Sequence, residues 1–482
     1  MHIPIIIAFL ALSLLGGIVH AADTLKLEID DALKMAVQSS PNMILARMDS
    51  LVNENRWHNA RGMRLPQIRY SQESPSWDES VNERYIYDID EGRDIFTRVP
   101  SGDLRWQSRV NLQQETPWGA SVDISSRVYQ RKWYRTVNER EEFEEYSLLN
   151  RVLVNQPLLA GNPVSRDYKL NKIDFDRGQI AFELQRRDVI YNVKSVYYGQ
   201  VLAEEALKIS TQDLQRGREA RDLAKRKFNA GFIPEVDLMR IQVDLARRQG
   251  EFSQTEARAE SAKEQLRLIL GLPVNQQIAV NFPENRTNAE FGTVESISGK
   301  RLETEADELS NQGLNMRTDA TITDMRIRAS LQLYYEVDTR WDKTSDIDKS
   351  ENRNRGVSLH FEFPIYGFGT TVTEIENLKI AKKKSVNEMK IRKANLEADT
   401  RRAVRDLDLS RRRMDIVSAS LELSRKTLSI SEDRFENGLI NSRELIDAQA
   451  DLTRGNQEWL NARIDYELAF AYLERIAPYH RQ

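Results

Sequence analysis

The chain of 482 residues contains no cysteine, which excludes a disulfide framework, thiolate metal sites and a lipidated amino terminus. Its 13 prolines and 21 glycines are few for this length, which leaves room for very long uninterrupted helices. After residue 21 no apolar run is long enough for a membrane-spanning helix, and acidic and basic residues nearly balance, at 74 against 70. A formal charge of −4 gives no electrostatic ground for nucleic-acid binding, and Lys382–Lys384 and Arg411–Arg413 read as solvated helix faces. Of the five histidines, His58, His360 and His480 have no carboxylate or thiol partner at metal-ligand spacing, and His2 and His20 fall in the amino-terminal segment. No nucleophile elbow, phosphate-binding loop or glycine-rich cofactor loop is present, so the reading is of a protein that is not an enzyme and needs no cofactor.

Residues 1–21 are apolar from Ile3 to Val19 and end in Val19-His20-Ala21, the pattern of a secretory signal peptide cut after Ala21. The rival reading, a membrane anchor, needs about 20 apolar residues, more than are there.

What is present is a stretch written twice. Phe228-Asn-Ala-Gly231-Phe232-Ile233-Pro-Glu-Val-Asp237-Leu238 returns 207 residues later as Phe435-Glu-Asn-Gly438-Leu439-Ile440-Asn-Ser-Arg443-Glu444-Leu445. Over 18 aligned positions seven are identical, which points to duplication. Each copy has the chemistry of a tight turn between helices: a glycine at the left-handed position that ends the first helix, an apolar residue expected to pack back on it, then a new start. Pro234 suits a first helical position, and Asn441 with Glu444 three residues on reads as a capping box.

In chain order, residues 26–63 read as a short helix and a longer one broken near Pro41. From 65 to about 159 the apolar period changes to 2, at Val110/Leu112, Val122/Ile124/Val128 and Leu148/Val152/Val154, which predicts strands with one polar face. The segments 77–102 and 131–145 read as long polar loops. Helices are expected from 162 to 229 and 235 to 270, a linker at 274–313, a helix at 314–328, strands within about 331–366, and a helix at 371–437. The last holds 67 residues without Gly or Pro, about 100 Å of helix. Its apolar positions, from Ile375 through Leu396, Leu421 and Phe435, form a narrow stripe suited to coiled-coil packing. A final helix covers 442–476. The strands are near bilayer-crossing length, and Trp77, Trp106, Trp118, Trp133 and Trp341 lie in or beside them, as in aromatic girdles; a soluble β-domain with polar-out strands is the alternative.

This order, helix, strands, long helix, Phe-x-x-Gly tip, helix, repeated once, with Gln156-Pro157-Leu158 and Phe363-Pro364-Ile365 closing the strand sets, resembles the outer membrane efflux protein family of TolC-type channels. The resemblance covers essentially all of the chain after residue 21. It implies an α+β membrane protein built from two structural repeats, 22–273 and 314–482: a homotrimer whose long α-helical coiled-coil barrel is continuous with a transmembrane antiparallel β-barrel in outer-membrane lipid. It further implies an export duct of a tripartite efflux pump or type I secretion system, reaching into the periplasm. The tips at 228–237 and 435–444 would meet a periplasmic adaptor protein and an inner-membrane efflux or ABC transporter. Family members line the periplasmic aperture with acids just after the second tip, and the matching positions here are Glu444 and Asp447; the first copy has Asp237 and Arg240, a self-neutralising pair. Glu444 also reads as a cap partner of Asn441. Ile440 stands where the family has a basic residue, so a closing ion pair must use others, with Arg443 a candidate. An additional hairpin near 104–129 departs from the family's plainest members. A periplasmic coiled-coil scaffold without a pore is the alternative function.

Overall fold

The computed structural model describes residues 25–88, 92–136, 140–159, 162–282, 293–325, 327–342, 350–363 and 370–477. The segment expected to be a signal peptide, and Pro364 and Ile365 of the expected strand end, lie outside these residues.

The chain forms two compact units, each drawing segments from both halves of the sequence: Met1–Ser50, Ile180–Ala306 and Ile391–Gln482 in the first, Leu51–Gln179 and Asp307–Lys390 in the second.

The elements are β1 (Leu25–Leu27), α1 (Ile29–Ser39), α2 (Pro41–Gly62), β2 (Gln67–Asp88), β3 (Arg93–Glu115), β4 (Ser121–Thr136), β5 (Arg140–Pro157), α3 (Pro163–Asn229), α4 (Glu235–Leu270), β6 (Ile278–Val280), α5 (Val294–Gly299), α6 (Leu302–Asp324), β7 (Arg328–Asp342), β8 (Ser350–Glu362), α7 (Thr370–Glu436) and α8 (Ser442–Ile476).

The first unit is helical. One core cluster joins Ala32 and Ala36 of α1, Val193 and Tyr197 of α3, Leu266 and Leu270 of α4, and Leu460 and Ile464 of α8. The short parallel pair β1 and β6 lies beside it, and the Tyr197 hydroxyl donates to the Leu27 and Asn281 carbonyls at 2.9 Å each. Burial pushes the Tyr197 pKa up to about 12. A second cluster joins all four long helices: Ala220 and Ala224 of α3, Ile241 of α4, Leu421, Leu428 and Phe435 of α7, Leu445, Ala448 and Leu452 of α8.

Along α7 the covered positions Leu396, Thr400, Ala403, Leu407, Ser410, Met414, Val417, Leu421, Ser424, Leu428, Ser431 and Phe435 alternate spacings of four and three, the heptad seam of a coiled coil. A second seam is uncovered: Leu409, Ile416, Leu423 and Ile430 recur every seven residues, and all are more than half exposed. Val236, Met239 and Val243 make a similar exposed row on α4.

Two polar networks tie these helices. Arg248 of α4 is buried and donates to Asp244 at 2.6 Å, Asp213 at 2.6 Å and Gln449 of α8 at 3.1 Å; Thr453 of α8 donates to Asp213 at 2.6 Å. Near the other end of α8, Arg301 binds Asp399 of α7 and Glu303, both at 2.8 Å, and the Tyr472 hydroxyl donates to Asp399 at 3.0 Å.

The second unit holds a six-stranded sheet ordered β2-β3-β4-β5-β7-β8, every neighbour antiparallel. Its strands run 22, 23, 16, 18, 15 and 13 residues, longer than expected from the apolar alternation. The described residues of the segments expected to be polar loops, 77–88 and 93–102 of the first and 131–136 and 140–145 of the second, are continuations of these strands. The reason is that cross-strand charge and ring pairs replace apolar alternation there. Arg98 meets Glu83 at 2.9 Å, Lys132 meets Glu144 at 3.2 Å, and Trp133 stacks on Phe143 with centroids 4.0 Å apart. The additional hairpin expected near 104–129 is the β3–β4 pair.

The registers sort side chains onto two faces. Ile68, Leu112, Ile124, Val152 and Tyr335 are successive cross-strand partners, and with Val110, Val128, Leu333, Val357 and Leu359 they make one apolar face, exposed at every one of these positions but the half-buried Leu112. At one border of this belt Tyr146 stacks on Trp341, 5.8 Å apart, and at the other Phe361 stacks on Phe363, 6.0 Å apart. The opposite face carries Arg, Asp, Glu, Ser, Asn and Gln. Aromatic rings cover two glycines directly across the strand, one on each face: a Cβ at Gly102, on the first face, would fall 2.2 Å from Tyr134, and one at Gly356, on the opposite face, 2.5 Å from Tyr334, so larger residues there force the rings off.

Candidate functional site

Both duplicated stretches are helix-to-helix tips in the first unit. After α3, Gly231 has φ +76°, its N–H donates to the Phe228 carbonyl at 2.9 Å, and the Phe232 N–H donates to the Lys227 carbonyl at 2.9 Å. After α7, Gly438 has φ +74°, donating to Phe435 at 3.0 Å, and Leu439 donates to Arg434 at 2.8 Å. These are two Schellman motifs with the same bonds, and only glycine holds the left-handed angle without a steric penalty. Pro234 is the N-cap of α4 rather than its first residue.

The apolar residues after the glycines do not pack back on the helices as expected. Phe232 is 80% exposed and Leu439 67%. The staple is instead Phe435, fully buried under the partner tip: the Lys227 ammonium lies 4.8 Å over its ring and donates to the Phe435 and Glu436 carbonyls. Lys227 thereby satisfies carbonyls that the end of α7 leaves open. Ser442, also buried, donates to Asp237 at 2.7 Å across the tips. Lys227 and Ser442 were not singled out from the sequence: Lys227 lies just before the duplicated stretch, and Ser442 aligns with Glu235, where the copies differ.

Between the tips lies a groove of about 980 Å³, lined by Phe232, Ile233 and Asp237 from one copy and Phe435, Gly438, Leu439, Ile440 and Glu444 from the other. Phe228, Gly231, Arg443 and Asp447 do not line it. Arg240 lies 3.6 Å from Asp237. Asn441 caps α8 by accepting from the Glu444 N–H at 3.1 Å, and the return bond runs from the Asn441 amide to the Glu444 carboxylate at 2.9 Å rather than to backbone. Glu444 thus has a capping role in the single chain. Asp447 makes no such contact; it shares the exposed face of α8 with Arg443, Glu444 and Asp451. Among the described residues no group of His, Asp and Glu is arranged to hold a metal ion, and no helix is long and apolar enough to cross a membrane.

Comparison with known proteins bears on the whole arrangement. The search of curated protein sequences returned no match. Among solved structures, the outer-membrane channel OprN superposes with a TM-score of 0.68 at 14% identity, over 93% of this chain and 89% of that one. The outer membrane protein VceC of Vibrio cholerae gives 0.66 at 10% identity, over 93% and 95%. The Neisseria gonorrhoeae MtrE outer membrane channel, in its open state, gives 0.61 at 13% identity, over 93% and 88%. The model of the family described as outer membrane efflux protein matches twice, at residues 113–272 and 317–477, together well over half of the sequence. With two helix-to-helix tips, a continuous antiparallel sheet and that double match, this chain belongs to the outer membrane efflux protein family.

Proposed function

We propose that three copies of this chain assemble into an export duct that crosses the outer membrane as a β-barrel and extends into the periplasm as an α-helical barrel. The observation that carries this reading is the six-stranded sheet with its apolar belt and two open edges, β2 and β8. Counted along β7 from Ala329 to Thr339, the belt covers about 33 Å of strand, or about 25 Å of height at the usual barrel tilt. Aromatic pairs border it on both sides, as bilayer interfaces favour. In lipid an open edge leaves backbone groups unpaired at several kcal/mol each. The edges run in opposite directions, so β2 of one copy fits antiparallel against β8 of the next. Three such sheets reach the roughly 16 to 18 strands at which a barrel encloses an aqueous channel.

The helical unit supports the same assembly. The uncovered heptad rows on α7 and α4 are apolar surface without a partner inside the chain, and neighbouring copies supply one. The double match of the family model supports descent from a duplicated half. The exposed Phe232 and Leu439 suit docking of a periplasmic adaptor, which in turn engages an inner-membrane efflux or ABC transporter. Asp447, with Glu444, lines the periplasmic aperture of the trimer.

The purified protein in detergent is expected to scatter light as a trimer and to form channels in planar bilayers. A monodisperse monomer that keeps its strand content would overturn the reading.

A further inference from the structure

The polar face of the sheet is not evenly charged. Arg109 of β3 and Arg127 of β4 are direct cross-strand partners, and Arg69 of β2 is partnered with Asn111, two residues from Arg109 on the same face. Three guanidinium groups therefore occupy adjoining positions, where direct partners have Cβ atoms about 5 Å apart and like charges repel.

Four other arginines of this face are neutralised. Arg105 and Arg131 share Asp103 at 2.5 and 2.6 Å. Arg340 reaches Asp338 at 2.8 Å and Glu145 at 3.5 Å, and Arg151 lies 3.9 Å from Glu336. Asp338 also accepts from Ser147 at 2.8 Å. The closest acid to the three on the β2 side, Glu73, is engaged by the Gln107 amide. Among the described residues, Arg69, Arg109 and Arg127 have no carboxylate within ion-pair distance, and the Nε of Arg127 is buried without a hydrogen-bond partner. Its guanidinium stands 5.8 Å from the Tyr129 ring centroid, which holds it beside the strand.

The geometry points to an anion-binding zone at Arg69, Arg109 and Arg127 that takes multivalent oxyanions. This rests on the export-duct reading, under which the polar face lines the lumen and three copies bring three such clusters around one passage. Planar guanidinium groups at cross-strand spacing match the forked geometry of phosphate oxygens, and a bound oxyanion relieves their mutual repulsion. The duct then opposes its own acidic periplasmic aperture: cations are favoured at one end and anions within the barrel.

The test uses the full-length trimer and inorganic pyrophosphate as probe. Wild type, Arg109→Gln alone, and the triple variant Arg69→Gln/Arg109→Gln/Arg127→Gln are compared, with Lys132→Gln, a cation on the opposite face, as control. By titration calorimetry wild type and Lys132→Gln are expected to bind pyrophosphate at least tenfold more tightly than the triple variant, with Arg109→Gln between them. In planar bilayers under a potassium chloride gradient, the triple variant's reversal potential is expected to move toward cation selectivity. Conduction with unchanged selectivity and no arginine-dependent pyrophosphate binding would overturn the anion zone and leave the duct standing. Arginine-dependent binding by a protein that never conducts would overturn the duct and keep the anion site. A triple variant that fails to trimerise leaves Arg109→Gln to decide, and wild-type values for that variant in both assays would count against the proposal.

Discussion

Replacing Arg248 by Met is expected to loosen the helical unit more than any surface charge change. The side chain sits among α3, α4 and α8, and its methylenes pass close to Gly217, where an added Cβ would lie 2.8 Å from the Arg248 Cδ. Methionine matches the stem in length but leaves the buried carboxylates of Asp213 and Asp244 without their shared partner. Each keeps one further arginine, Arg216 at 3.2 Å and Arg247 at 2.7 Å, and both of those are more exposed than Arg248. Breaking a buried pair by removing one partner costs about 3–5 kcal/mol. The remaining pairs place Arg248→Met toward the lower end, about 3 kcal/mol, which amounts to several degrees in melting temperature. Arg248→Met combined with Asp244→Asn should recover part of the loss, since one unpaired charge is removed. The assay is thermal unfolding of the purified protein in detergent, followed by far-ultraviolet dichroism at a fixed scan rate. A loss below about 1 kcal/mol, the range of exposed pairs, would refute the view that this network holds the two hairpins together.

Gly438→Val is expected to strain the left-handed tip by about 1–2 kcal/mol, leaving trimers intact while lowering export with the native pump; normal export by Gly231→Val/Gly438→Val would count against the tips as a docking surface. Asp447→Ala with Glu444→Ala is expected to abolish block of the channel by trivalent metal ions from the periplasmic side, with Asp447→Asn carrying most of the effect because Glu444 also caps α8; unchanged block would remove both from the aperture. Burial pushes the Glu303 carboxyl up, but the hydrogen bond from Arg301 and its own backbone N–H outweigh this and hold it below the usual carboxylate range. The folded value being depressed, that contribution is present above the unfolded pKa of about 4.3 and lost as pH falls below it; Glu303→Gln should flatten this part of the acid-unfolding curve, and an unaltered curve would show that the contact contributes nothing.

The long helices and the tip glycines were legible because their signals are local. A stretch without Gly or Pro, an apolar heptad and a Gly between helices each act through the neighbouring turns of chain. Ser442–Ile476 was read to the residue. The outer parts of β2 to β5 were not legible, since Glu83 with Arg98 and Lys132 with Glu144 stabilise strands through partners on other segments, and such residues in isolation look like loop. At the tips, the sequence showed which residues recur but not that Phe435 is buried while Phe228 is partly exposed. That difference arises because Lys227 reaches across to cap the second helix, a contact between residues 208 apart. The exposed row Leu409, Ile416, Leu423, Ile430 has a period of seven, but exposure is set by which neighbours cover a helix face, and a period alone does not carry that.

The seam of α7 constrains how the helical unit can change length. Because its covered positions alternate by four and three without interruption from Leu396 to Phe435, removing one or two residues rotates everything beyond the cut onto the wrong face, removing three or four leaves a local change of winding, and removing seven restores the phase. The helices α3 and α7 are the same length, 67 residues each, and their tips are bonded together, so a cut in one must be matched in the other. The descending partners α4 and α8 must lose the same number. The length of the helical unit is therefore quantised: the step is two helical turns, about 10 Å, taken in four helices at once.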